Sequence, residues 1–193
     1  MASSRDGEHP PEFQLALEQL RSAVIRPEVQ LEEMPAPKRL APFATALSAE
    51  VLVGEDELAS GRFVLLYDPD GQEAWQGCFR AVTLARAELE PEIGTDPLLA
   101  GVGWSWLLES LAAHGAEHTA PSGTVTRVQS ESFGAIAERP PVTEIELRAS
   151  WTAADGAVGR HLTAWCELLA MCGGLPPVPQ GVIPIPNHRG PMH

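Results

Sequence analysis

The hydrophobic positions along the chain change period several times, and each change marks an element. Phe13, Leu17, Leu20 and Val24 fall at i, i+4, i+7 and i+11, which predicts one face of a helix that stops before Pro27. Residues 29–34 read as a short extended piece. The segment that follows, MPAPKRLAPF, holds Pro35, Pro37 and Pro42 and is expected to run extended over the surface. Residues 46–53 then read as a strand. Residues 62–67 form a nearly continuous apolar run, the pattern of a strand covered on both faces. A DPDG turn at 68–71 leads into a long strand over 74–89. In it Phe79, Ala81, Thr83, Ala85 and Ala87 share one face, and Arg80, Val82, Leu84 and Arg86 the other.

A helix is predicted from Asp96 as N-cap and Pro97 at the first position. Trp104, Leu107, Leu108 and Leu111 form its core stripe, Trp106 lies off the stripe, and Gly115 ends it. A strand over 123–133 follows. The cleanest alternation in the chain is at 143–152, where Ile145, Leu147, Ala149 and Trp151 point to the core. A last helix at 160–172 is patterned by Leu162, Trp165, Leu169 and Cys172, with Gly173 and Gly174 beyond it.

This order, α-β-β-β-α-β-β-α, predicts an α+β fold: a mostly antiparallel five-stranded sheet with helices packed on one face. By analogy of element order, it is similar to type III secretion chaperones, which are small, acidic and dimeric. The expected organisation is a disordered N-terminus over 1–10, a single domain over 11–172, and a proline-rich extended arm over 173–193, more apolar than a free tail and so expected to lie on the domain's own surface.

Composition narrows the function classes. The 193 residues carry 26 acidic and 13 basic side chains, a formal charge of −13. Such a surface repels phosphate backbones and anionic lipid, so neither nucleic acid nor membrane is an expected partner. No run approaches the ~18 apolar residues of a membrane span, and the N-terminus lacks the apolar segment of a signal peptide. Cys78, Cys166 and Cys172 are odd in number, without CxxC spacing, which predicts free thiols in a reducing cytoplasm.

Few residues point to chemistry. His114-Gly115-Ala116-Glu117-His118 fits the H-x-x-E-H pattern of inverted zinc peptidases. That site needs both histidines on one helical face, yet Gly115 falls inside the motif and Pro121 soon after. A polar helix end is the reading preferred, with no metal. Cys166 and His161 are five apart on a predicted helix, on different faces, so Cys166 is read as core. There is no nucleophile elbow and no phosphate-cradling loop, hence no catalytic residue and no cofactor. The remaining candidates are arginines within predicted strands: Arg80, Arg86, Arg127 and Arg148. If their faces align, they line the sheet surface opposite the helices, beside Glu131, Glu144 and Glu146, either as a binding face or as cross-strand ion pairs. Arg80, Arg127 and Arg148, with Trp106 as a possible hot-spot residue, form the candidate binding set.

Several stretches together resemble an uncharacterised actinobacterial family, domain of unknown function 3000. They are residues 26–47 (RPEVQLEEMPAPKRLAPFATAL), 96–134 (DPLLAGVGWSWLLESLAAHGAEHTAPSGTVTRVQSESFG), 147–152 (LRASWT) and 164–182 (AWCELLAMCGGLPPVPQGV). The resemblance implies that the EEMPAPKRLAP and LPPVP segments are integral to the domain. It implies no activity, cofactor or catalytic residue. The expectation is therefore a non-enzymatic protein-binding, adaptor or chaperone-like module with a protein partner or a second copy of itself. The alternative is a small-molecule-binding protein or enzyme using the arginine-bearing sheet face. An enclosed pocket favours the alternative, and a broad open apolar patch favours the first.

Overall fold

A computed structural model describes residues 9–154 and 156–178. Six strands, β1 (Val29–Met34), β2 (Phe43–Val53), β3 (Asp56–Gln72), β4 (Gly77–Leu89), β5 (His118–Ser130) and β6 (Val142–Ala153), form one open sheet in the order β1-β2-β3-β4-β6-β5. Every neighbouring pair is antiparallel. The helices are α1 (Pro11–Arg21), α2 (Pro91–Gly94), α3 (Leu99–Ala113) and α4 (Val158–Cys172), with a 3₁₀ turn at Gly134–Ile136. The class is α+β, as the element order predicts, but the sheet has six strands rather than five. The extra one is β1, paired with β2 from Val29↔Val51 to Met34↔Ala46. Six residues carry too little alternation to declare themselves; the non-local ladder makes this piece a strand.

α4 is the centre of the helical layer. Leu162, Ala164, Trp165, Leu168, Leu169 and Ala170 are fully buried, as expected of a helix apolar on nearly all sides. α1 and α3 flank it. Two strand glycines let helical tryptophans sit directly on the sheet. A Cβ on Gly61 would come within 2.7 Å of the Trp165 ring, and one on Gly123 within 2.9 Å of Trp104. The strand residues facing this layer close the core: Phe63 and Leu65 on β3, Ala81 and Ala85 on β4, and Ile145, Leu147 and Trp151 on β6. The last set is the one read from alternation in the sequence.

Several local expectations are corrected. α1 ends at Arg21, leaving Val24 past its end and 69% exposed. The Asp68-Pro69-Asp70-Gly71 segment stays within β3 as an irregularity, with the Asp70 amide donating to Asp68 Oδ1; the chain reverses at residues 73–76. α3 starts three residues after Asp96, whose Oδ1 accepts the Leu98 amide at 2.8 Å. In the run at 62–67, Phe63 and Leu65 lie under the helices, whereas on the other face Arg62 is exposed, Val64 is half-buried and only Leu66 is buried.

The chain entering β1 and the chain leaving α4 meet at a buried charge cluster. Arg26 Nη1 donates to Glu167 Oε2 and to the Pro176 carbonyl, each at 3.2 Å, while its Nε donates to Glu28 at 3.1 Å. The Val178 amide also donates to Glu167. The start of the proline-rich arm is thereby fastened to the domain, as Leu175 packing on the core also shows; residues 179–193 lie outside the described residues. So do residues 1–8 of the expected disordered N-terminus, whereas His9 is placed, its ring edge-on to Phe13 at 5.2 Å. No helix among the described residues is long and apolar enough to cross a membrane.

Candidate functional site

β-Strand alternation sends every second residue to the face away from the helices, and antiparallel register stacks those residues into rows. One row is Ser48, Arg62, Leu84, Arg148 and Thr124, running from β2 through β3, β4 and β6 to β5. The next is Ala46, Val64, Val82, Ser150 and Ser122. Val64, Val82 and Leu84 are only half-buried, because no helix lies over them. They floor a broad, shallow depression of about 440 Å³ whose polar lining includes Arg62, Arg148, Ser122, Thr124 and Ser150.

The charges around this floor are unbalanced. Arg62 stands opposite Ser48 and Leu84, and no carboxylate pairs with it among the described residues. Arg86 and Arg148 share one partner, Glu146, through contacts of 2.6 Å to its two oxygens. These hydrogen bonds, Arg86 first, hold the Glu146 carboxyl below the usual carboxylate range. Arg80 is 7% exposed and has no carboxylate partner among the described residues. Its Nη1 donates to the Ala120 carbonyl at 2.9 Å and to Thr152 Oγ1, and its Nη2 to Ser150 Oγ at 2.8 Å and Ser122 Oγ. Burial lowers its pKa from the ordinary value. Arg62, Arg80, Arg86 and Arg148 thus share the face with Glu146, while Glu50, in the row of Arg86, and Glu32, in the row of Arg62, stand on it toward β1; of these charges only Arg62 and Arg148 line the depression itself. Glu88 and Glu144 stand opposite one another further along.

The structure divides the candidate binding set. Arg80 and Arg148 lie together on the open face. Arg80 there is a tie across three strands, and it anchors the bulge at Ala120, whose φ is +48°. Arg127 and Trp106 do not join them. Arg127 is registered opposite Ile145, hence on the helix side, where its Nη1 donates to the carbonyls of Gly94 at 2.9 Å and Asp96 at 3.2 Å. It fastens the α2–α3 connection. Trp106 is a half-buried part of the helical layer, packed on the core. Glu131 follows the end of β5. Sequence reading missed Arg62, because its strand looked covered on both sides; the arginine beginning that run was the available signal.

The other sequence motifs dissolve. His114 caps the end of α3 and His118 begins β5, so the H-x-x-E-H residues share no helix. Their Nδ1 atoms contact the carbonyls of Ser110 and Ala116. Among the described residues no group of three His, Cys, Asp or Glu side chains is placed to hold a metal ion. His161 Nδ1 accepts the indole N–H of Trp151 at 2.9 Å in the core, and burial raises the neighbouring Cys166 thiol far above its ordinary range. A second cleft of about 310 Å³ lies between α1 and the β1–β2 edge. Besides Leu17, Leu20, Leu31 and Leu47, it is lined by Arg21 and Glu33. One charge of each sign gives it no electrostatic preference comparable to that of the sheet face.

Residues 9–183 match the family described as "Protein of unknown function (DUF3000)". The chain belongs to this family. No curated protein and no solved structure matches it. The DUF3000 match begins at His9, which packs on Phe13, and extends past the buried Arg26–Glu167 cluster into the arm, so both the α1 entry and the fastened start of the arm lie within the family's domain.

Proposed function

We propose that this DUF3000 domain is a non-enzymatic protein-binding module that seats an apolar, acidic segment of a partner protein on its open sheet face. The observation that carries this reading is the guanidinium-rich apolar floor of Val64, Val82 and Leu84, open and shallow rather than enclosed. A solvated sheet face is ordinarily polar. Apolar side chains at its centre gain by being covered, and the surplus of arginine selects a cover bearing carboxylates. Two separate rims, Arg62 on β3 and Arg148 on β6, suit an extended or helical segment better than a small molecule, which prefers a concave site that surrounds it. The free thiols Cys78, Cys166 and Cys172 support action in a reducing cytoplasm. An adaptor or chaperone-like role belongs to this proposal.

The test places a photo-crosslinking amino acid at Val82, and as control at the exposed Glu18 on α1, in cells of the native host. The expected result is a discrete protein adduct at Val82 alone, lost in the Arg62→Glu/Arg148→Glu variant. Equal adducts at both positions, or an adduct indifferent to charge reversal, would overturn the reading.

A further inference from the structure

The two edges of the sheet are built differently. β1 is six residues long, carries Glu32 and Glu33, and runs into Pro35 and Pro37. Short length, charge and proline are the usual means of keeping an edge from adding another strand. β5 is thirteen residues long. Past the bulge at residues 120–121 it runs in unbroken register with β6, from Ser122↔Ser150 to Ser130↔Val142. Nothing among the described residues pairs with its outer side, and it is the one strand of the six without an Asp or Glu. Its arginine, Arg127, is drawn back to the α2–α3 connection. Val128, Phe133 and Ile136, at and just past its end, are 41%, 75% and 46% exposed.

We infer that two copies of the chain pair antiparallel through residues 122–130 of β5, joining two six-stranded sheets into one. Antiparallel pairing about a two-fold axis is self-complementary, since each residue meets a residue of the same segment. Nine residues at about 3.4 Å each give a seam of about 30 Å, and Val128, Phe133 and Ile136 supply apolar surface to bury beside it. Elsewhere two chains of charge −13 repel, so the carboxylate-free strand is where they approach most easily. The association therefore strengthens as salt screens that repulsion. Ser122, Gly123 and Thr124 also line the depression, so pairing sets the two open faces side by side.

The experiment compares the full chain with its Thr126→Lys/Val128→Lys variant by sedimentation velocity over a range of protein and salt concentrations. Within a chain the new lysines stand opposite Glu146 and Glu144, so the fold is retained, as far-UV circular dichroism verifies. Across the seam they gather four ammonium groups. The expected result is a wild-type dimer favoured by salt, at least about tenfold weaker in the variant, with amide exchange over 122–130 slower in concentrated than in dilute protein. Arg62→Glu, which lies outside the seam, leaves the dimer intact, so this inference and the docking reading fail separately. A monomer at every concentration, or a dimer indifferent to the lysines, would overturn it. Amides of β5 equally protected at all concentrations would also overturn it, assigning the edge to residues 179–193 of the same chain.

Discussion

The buried cluster around Arg26 makes an asymmetric prediction. Arg26 and Glu167 are each 7% exposed and bonded at 3.2 Å, but their other partners differ. Arg26 keeps Glu28, whose oxygens accept from its Nε and Nη2. Among the described residues Glu167 has, besides Arg26, the Val178 amide, at 3.4 Å. Arg26→Met strands a carboxylate without a cation, which costs about 3–5 kcal/mol. Glu167→Gln removes one charge-assisted hydrogen bond while leaving the guanidinium compensated, about 1.5–3 kcal/mol. The double variant costs less than the sum of the singles, because the stranded charge is gone, and a coupling of about 1–3 kcal/mol is expected. Urea unfolding at pH 7, at one fixed protein concentration and followed by both tryptophan fluorescence and circular dichroism, measures all three. A pH series adds a check. Hydrogen bonding to Arg26 lowers the Glu28 pKa from 4.5, so its stabilisation is complete above that value and is lost as pH falls through the lower folded-state value. Arg26→Met removes this part of the acid sensitivity. Equal costs for the two single variants, or strict additivity, would refute the account.

Two further predictions concern packing and thiols. Gly61→Ala puts a Cβ within 2.7 Å of the Trp165 ring and closer still to the Leu84 carbonyl, and is expected to cost about 1–3 kcal/mol. Gly101→Ala, inside α3 with nothing near its added Cβ, is expected to stabilise by about 0.5–1 kcal/mol; the same urea titration reads both, and equal signs would count against the packing argument. Burial pushes the Cys172 thiol up to about 12 and Cys166 higher still, while Cys78 is half-exposed. A thiol reagent should therefore modify Cys78 rapidly in the native protein and the other two only in denaturant, as peptide mass mapping would show; fast labelling of Cys166 would contradict the core assignment.

The elements legible in the sequence are those whose burial is one-sided and long. β6 is legible because polar and apolar residues alternate over ten positions, and α4 because its tryptophan, leucine and cysteine positions keep helical spacing. β4 yields both of its faces correctly, which placed Arg80 and Arg86 together. β5 hides its orientation: Thr124, Thr126 and Val128 look no more solvated than Gly123, Val125 and Arg127, since an edge strand under a thin part of the helical layer has little core to declare. Arg127 therefore reads with the other strand arginines in the sequence, while its register opposite Ile145 puts it on the helix side. β1 reads only as an extended piece because its six residues carry too little alternation and the intervening prolines hide its pairing with β2, and the placement of Trp106 depends on where α3 docks, which helical period alone does not fix.

The strand at residues 62–67 carries the more instructive discrepancy. Its apolar run predicts cover on both faces, and the helices supply cover on one. Phe63 and Leu65 lie under them, while Val64 faces outward beside Val82 and Leu84. A sheet face meant only for water would place polar residues at those positions, as β6 does with Glu144, Glu146, Arg148 and Ser150. At the centre of the face the apolar choice is concentrated on β3 and β4, and the charged residues lining it are Arg62 and Arg148, the carboxylates of the face standing outside the depression. Local propensity does not demand that arrangement, since threonine or glutamine fits the same pleat. The sequence departs from the pattern of a solvated face just where the arginines converge, and sites that break a fold's own pattern are where a functional constraint is expected.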